Sequence, residues 1–104
     1  MPTKRASKVA AKGPKARPVP RPFEFHWGGG QIVEEAAIET QYTAPAIQLM
    51  EYDDGGYTVR FCYYTLDGRF QRSPMMLGED GIAAMRAALR KTPKLRAMLR
   101  KLVE

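Results

Sequence analysis

The chain has few of the residues from which catalytic and metal sites are built. Its 104 residues include one cysteine, Cys62, and one histidine, His26. A lone cysteine excludes an intrachain disulfide and is typical of a reducing compartment, so we expect a cytoplasmic location. Neither residue has the companions that a zinc site or a Cys–His nucleophile requires. We therefore expect a protein that is not an enzyme, with no catalytic residue, metal, cofactor or small-molecule substrate.

Long apolar runs are also missing. No stretch approaches the roughly 20 apolar residues that span a bilayer, and the basic N-terminus lacks the apolar segment of a secretory signal. Its prolines, without an amphipathic stripe, disfavour an organelle transit peptide. We expect no membrane partner, and a location with the nucleoid in a bacterium or in the nucleus of a eukaryote.

Two long segments each lack charged residues of one sign, the first lacking acids and the second lacking lysine and arginine. Residues 1–22 contain no acid and carry a net charge of +7, whereas residues 23–54 contain no lysine or arginine and carry −7. Residues 55–104 carry +6. Such segregation indicates functional segments and not a random mixture of surface charges. The basic residues of the first segment are Lys4, Arg5, Lys8, Lys12, Lys15, Arg17 and Arg21.

The first segment is predicted to be a disordered basic tail. It has five prolines and small residues but almost nothing to bury, so packing cannot repay the entropy of ordering it. Phosphate binding by counterion release is the favoured role. A solubilising tail and an arm folded back on the acidic segment remain open alternatives. Residues 23–104 are predicted to form a single small α+β domain.

The domain begins with an aromatic and glycine-rich segment, residues 23–30. Three glycines follow its aromatic residues and predict a hinge or linker. Its aromatic rings either anchor the segment to the domain, which we favour, or stack on bases. Residues 31–43 fit a short helix or a strand, and alternation favours a strand over 36–42.

The middle of the chain predicts an antiparallel meander. Strands are expected at 47–52, 57–65 and 69–77, separated by glycine-bearing turns at 53–56 and 66–68. Alternation along the central strand separates two faces. The predicted core face contains Tyr57, Val59, Phe61 and Tyr63, and the predicted open face contains Thr58, Arg60, Cys62 and Tyr64.

Two helices are predicted at the C-terminus. The first begins near Glu79, and Thr92-Pro93 supplies a cap and a first-turn proline for the second. The fold class is thus α+β: a meander of three to four strands followed by one or two C-terminal helices packing on one face. The first apolar stripe should cover the sheet, and the second should pack in the core or a dimer. These stripes are Ile82, Met85 and Leu89, and Leu95, Met98, Leu99 and Leu102.

The order of these elements resembles the single-stranded-DNA-binding transcriptional coactivator family of the positive-cofactor-four type. The similar part is roughly 47–89, where the aromatic pair and acidic turn of residues 63–68 precede the basic strand of 69–77. The chain lacks the family's lysine- and glycine-bearing stretch and its helix tryptophan, and it has an additional helix after Pro93. The resemblance implies a homodimer, a transcription-regulatory role, and a sheet that binds single-stranded nucleic acid.

The leading hypothesis is a nucleic-acid-binding protein that contacts single-stranded or distorted DNA, in preference to RNA. Bases would stack on aromatic rings beside basic residues on the open sheet face, and the tail would add phosphate contacts. The alternative is a protein-interaction module that uses the acidic residues 34–54 or the apolar C-terminal helix. The expected nucleic-acid contacts are Lys4, Arg5, Lys8, Lys12, Lys15, Arg17, Arg60, Tyr64, Arg69 and Arg72.

Overall fold

A computed structural model describes residues 17–71 and 74–104 of the chain. Five strands are followed by two helices, which confirms the α+β class and the C-terminal helices. The helices are α1 (Glu79–Leu89) and α2 (Pro93–Val103). The strands are β1 (Arg21–Phe25), β2 (Gly28–Ala37), β3 (Ala44–Tyr52), β4 (Tyr57–Tyr64) and β5 (Met75–Gly78).

All five strands form one antiparallel sheet in chain order, β1-β2-β3-β4-β5. Two predicted turns connect them as expected. Gly55 has φ +95° between β3 and β4, and Gly68 has φ +98° in the turn after β4, conformations that L side chains rarely adopt. An isolated bridge between Tyr64 and Phe70 continues the second hairpin beyond the end of β4. Residues 69–71 of the expected strand are therefore paired, but β5 itself begins only at Met75.

The first hairpin replaces the linker expected at 23–30. Phe23 and Phe25 of β1 lie opposite Gly30 and Gly28 of β2, so each ring faces a residue without a side chain. A Cβ at Gly30 would lie 2.1 Å from the carbonyl oxygen of Glu51. At Gly30 the close approach of neighbouring backbone requires glycine, as is common within strands. Gly28 has open space around it and instead adopts φ +153°.

Every buried strand residue lies on one side of the sheet, the inner face. A bulge between Ile32 and Glu34 shifts the register of β2, so that Glu35 lies opposite Gln48 on this face. The opposite, outer face is half-buried or exposed throughout. The buried inner-face residues are Gly30, Ile32, Ala44, Ala46, Gln48, Met50, Thr58, Arg60 and Tyr64.

This arrangement reverses the expected faces of β4. Thr58, Arg60 and Tyr64 are buried, whereas Tyr57 and Tyr63, which were assigned to the core, are 41% and 45% exposed. The alternation of side chains along β4 assigns its residues to two faces but does not tell which face is buried. The answer depends on the neighbouring strand, because β4 pairs these residues with Met50, Gln48 and Ala44 of β3.

The helices do not cover the sheet as expected. Their main contacts are between α1 and β5 and between α1 and α2, and no residue of either helix is buried. Gly81 of α1 lies against Leu77 of β5, where a Cβ would be 3.3 Å from the leucine Cδ2. Ile82 and Met85 remain exposed. The first predicted apolar stripe thus has little protein against it.

Candidate functional site

A buried carboxylate organises the centre of the inner face. Glu35 accepts hydrogen bonds from Arg17, at 2.9 Å, and from Arg21, at 3.1 Å, and its side chain is only 6% exposed. Gln48 donates a third bond of 2.6 Å to the same carboxylate. Both arginines belong to the segment 1–22 that was predicted to be disordered. Residues 17–22 are instead tied to the sheet, because two guanidinium groups compensate one buried charge.

These donors fix the ionisation of Glu35. Burial by itself raises the pKa of the carboxyl group, but the hydrogen bonds from Arg21, Arg17 and Gln48 outweigh it and hold the pKa at about 2. Burial also acts to lower the pKa of Arg21, yet its bonds to Glu35 and Tyr64 raise it overall. The cluster is therefore fully charged at neutral pH, with two cations around one anion.

Gln48 connects this ion cluster to the central strand. It is 1% exposed, accepts a 2.6 Å bond from Arg60 Nε, and donates a 3.0 Å bond to the Tyr64 hydroxyl. Arg60 also lies over the ring of Phe70, with Cζ 4.6 Å from the centroid, a cation–π contact. Both predicted contacts on β4, Arg60 and Tyr64, are 7% exposed and occupied by these partners. The expectation that these two residues lie on an open sheet face is wrong, and a base or phosphate would have to displace their present partners to reach them.

The other predicted site residues lie in different environments. Arg17 stacks over Tyr64 while it pairs with Glu35. Arg69 is not part of this cluster. Its side chain is 80% exposed, and its Nε lies 3.6 Å from Oδ1 of the exposed Asp67. Lys4, Arg5, Lys8, Lys12, Lys15 and Arg72 lie outside the described residues.

An aromatic ladder on the first hairpin was only partly foreseen. Phe25 and Trp27 stack with centroids 4.6 Å apart and ring planes inclined by 18°, and Phe23 lies 5.3 Å from Phe25. Tyr52 supports Phe23 edge-on at 5.2 Å. Trp27 is 60% exposed, whereas Phe23 and Phe25 are half-buried. The inner rings are thus anchored as expected. Trp27, the outermost ring, is exposed but also has the His26 ring edge-on at 4.7 Å, so a planar ligand would contact the part of the indole that Phe25 and His26 leave free.

The two helices and the residues between them carry most of the exposed basic side chains of the described chain. From Gly81 to Val103 there are seven lysines and arginines and no acid. All seven are exposed, and none forms an ion pair with a described residue. They are Arg86, Arg90, Lys91, Lys94, Arg96, Arg100 and Lys101.

The metal-ligating and nucleophilic side chains of the described residues do not form a site. Within residues 17–71 and 74–104, no three His, Cys, Asp or Glu side chains are arranged to hold a metal ion. Burial raises the pKa of the Cys62 thiol, which works against a thiolate nucleophile. Over the same ranges, no helix is long and apolar enough to cross a membrane.

Comparison of the chain with protein-family models, curated proteins and solved structures finds no match. The geometry of the chain itself is therefore the basis for its functional interpretation.

Proposed function

We propose that the protein is a non-enzymatic nucleic-acid-binding protein of the cytoplasm, nucleoid or nucleus that contacts single-stranded or distorted DNA with little sequence preference. The observation that carries the proposal is the helix pair, with seven exposed cations and no acid between Gly81 and Val103. Each cation that meets a phosphate releases condensed counterions, a gain that needs no base-specific contact. Contacts of this kind favour binding to the nucleic-acid backbone without recognition of a particular base sequence.

The aromatic ladder supplies the preference for unpaired bases. Single-strand binders combine basic residues along the backbone with rings on which bases stack, and each stacked base contributes about 1–3 kcal/mol. Trp27 is exposed, and one face of its ring stacks on Phe25. Bases within a duplex already stack on one another, so this contact favours single-stranded or distorted sites.

The interface differs from the expected one. The open β4 face is replaced by the aromatic ladder at one edge of the sheet and the helix pair beyond the other edge. The two edge strands, β1 and β5, are separated by four strand spacings of about 4.8 Å, roughly 19 Å in all. A single strand of several nucleotides bridges that distance, and the basic N-terminal residues add phosphate contacts without fixed geometry.

The proposal is tested by titrating the full chain into labelled single-stranded and double-stranded oligonucleotides at several salt concentrations. We expect micromolar or tighter binding to the single strand, weaker binding to the intact duplex, and a linear fall of log K with log salt. Absence of binding at about 50 mM salt, where phosphate contacts are strong, would sink the proposal.

A protein-interaction module is the second candidate, favoured by the exposed apolar stripe of α2. Leu95 is 51% exposed and Met98 62% exposed. Within the acidic segment, Glu35 is engaged by the protein's own arginines and is not available to a partner. Pull-down from native extract, with and without nuclease, separates the candidates: a protein partner survives nuclease, and partners bridged by nucleic acid do not.

A further inference from the structure

The outer face of the sheet is apolar at its centre and carries only negative charges. Half-buried Ile47, Leu49 and Val59 line a groove of about 280 Å³, and the rest of its lining is Glu34, Glu35, Ala36 and Gln48. By register, Glu24 and Glu51 lie on the same face. No lysine or arginine occupies an outward-facing position of β1–β5. The groove therefore suits an apolar ligand with positive flanks.

Helix α2 has the complementary character. Its stripe of Leu95, Met98, Leu99 and Leu102 is exposed, with Met98 at 62% and Leu102 at 60%. At 100° per residue, Lys94 and Lys101 flank one side of this stripe. An amphipathic helix normally buries such a face against protein, yet the main contact of α2 within the described chain is with α1.

We infer that α2 of a second copy of this chain docks in the outer-face groove, and that the exchange is reciprocal. Leucines and Met98 would cover the apolar centre, and Lys94 and Lys101 would meet the outward carboxylates. The groove residues lie on three neighbouring strands, β2 to β4, which span about 10 Å. An 11-residue helix is about 16 Å long, so it would cover the groove and reach the flanking strands. Two reciprocal contacts related by a two-fold axis close the assembly as a dimer.

The chain's own α2 is held away from this groove. Three residues, 90–92, join α2 to α1, and α1 is itself fixed at its start by Leu77 of β5. Charge complementarity selects this docking over pairing of two α2 helices, which would place the cations of both copies side by side. In such a dimer Lys94 and Lys101 would contact carboxylates of the second copy, which leaves the other five basic residues of the helical region to meet phosphates. The tests below contain no nucleic acid, so their outcome is separate from that of the proposed function.

The first test compares the mass of the full chain in solution with that of two variants, by sedimentation equilibrium over a wide concentration range. Met98→Glu places a carboxylate on the stripe, and Ala97→Glu places the same group on the opposite side of α2 as a matched control. We expect twice the mass of one chain for the wild type and Ala97→Glu, and at least tenfold weaker association for Met98→Glu. A monomeric wild type, or equal effects of both substitutions, overturns the inference.

The second test locates the contact. Two chains are prepared in a Cys62→Ala background, one with Leu49→Cys in the groove and the other with Met98→Cys on α2. After mixing and mild oxidation, the inference expects the disulfide between positions 49 and 98 to dominate. Disulfides mainly between two 98 positions would indicate helix–helix pairing and overturn it, as would the absence of any cross-link.

Discussion

The guanidinium of Arg17 lies over the ring of Tyr64, with Cζ 3.8 Å from the ring centroid. Both residues were predicted from sequence as nucleic-acid contacts, and the structure brings them together to contact each other. Glu35 holds Arg17 in this position at 2.9 Å. A base or phosphate at this point would have to replace a cation–π contact and a buried ion pair. The inner face is therefore occupied by its own residues, and ligand contacts are expected elsewhere.

Acid should destabilise the fold through Glu35. Its folded pKa of about 2 lies below the ordinary 4.5, so its stabilising contribution is complete above about pH 4.5 and is lost as pH falls towards 2. The linked free energy is at most about 3 kcal/mol. Urea unfolding measured against pH should show this fall for the wild type and a flatter profile for Glu35→Gln. The exposed Glu24→Gln is the control; equal profiles for Glu35→Gln and wild type would contradict the assignment.

Gln48→Leu should destabilise the protein strongly although the two side chains are similar in size. Leucine removes the acceptor for Arg60 Nε and the donors for Glu35 and the Tyr64 hydroxyl. Unpaired buried polar groups make the expected loss about 3 kcal/mol in the free energy of unfolding. Gln31→Leu, at an exposed outer-face position, should change it by less than about 0.5 kcal/mol. Similar losses in chemical denaturation for both variants would show that Gln48 has no special role.

Gly30→Ala should disrupt the pairing of β2 with β3. A Cβ there would lie 2.1 Å from Glu51 O and 2.7 Å from Tyr52 Cα, and neither backbone atom has room to move without shifting a strand. We expect a loss of more than about 2 kcal/mol, within the range of overpacked cores. Gly56→Ala, whose nearest contact is the Asp54 side chain at 3.4 Å, is the milder comparison. Thermal unfolding of the two variants tests this prediction, and equal melting temperatures would contradict the close approach of Gly30 to the backbone of β3.

Trp27→Ala should weaken single-strand binding without loss of stability. Trp27 is the only tryptophan and the exposed rung of the ladder, and loss of one stacked base corresponds to about 5- to 150-fold in Kd. Tyr42→Ala removes an equally accessible ring, 67% exposed, from the loop between β2 and β3. Fluorescence anisotropy with a labelled oligonucleotide should separate the two variants. An unchanged Kd for Trp27→Ala would remove the ladder from the interface.

The meander and the helices were predictable because their signals are local. Glycines in the turns, β-branched and aromatic residues in β4, and Thr92-Pro93 before α2 each act within a few residues. The first strand of the β1–β2 hairpin also has a local signal in the sequence. Phe23 and Phe25 alternate with Pro22 and Glu24, which is the period of a strand.

The inner-face cluster had no comparable local signal. Arg60 counts as polar in any alternation pattern, and only its cross-strand neighbour Gln48 makes its burial tolerable. Glu35 reaches the same face because the bulge after Ile32 changes the register of β2. Its partners Arg17 and Arg21 lie 18 and 14 residues earlier in the chain. Such long-range compensation of charge depends on the completed sheet, so sequence analysis assigned these residues to an open face and a free tail.

The salt dependence of single-strand binding, measured for the wild type and for a chain with Arg86→Gln, Arg90→Gln and Arg100→Gln, tests the central claim most directly. These three residues are exposed and form no ion pair within the described parts of the chain. If the helix pair binds phosphates, their loss should reduce the slope of log K against log salt by about 2, from roughly 0.7 per contact. Arg69→Gln is measured separately, because Arg69 is itself a predicted contact with an 80% exposed side chain, and its loss should reduce the slope by about 0.7 if it meets a phosphate. A slope unaltered by the triple substitution would contradict the account.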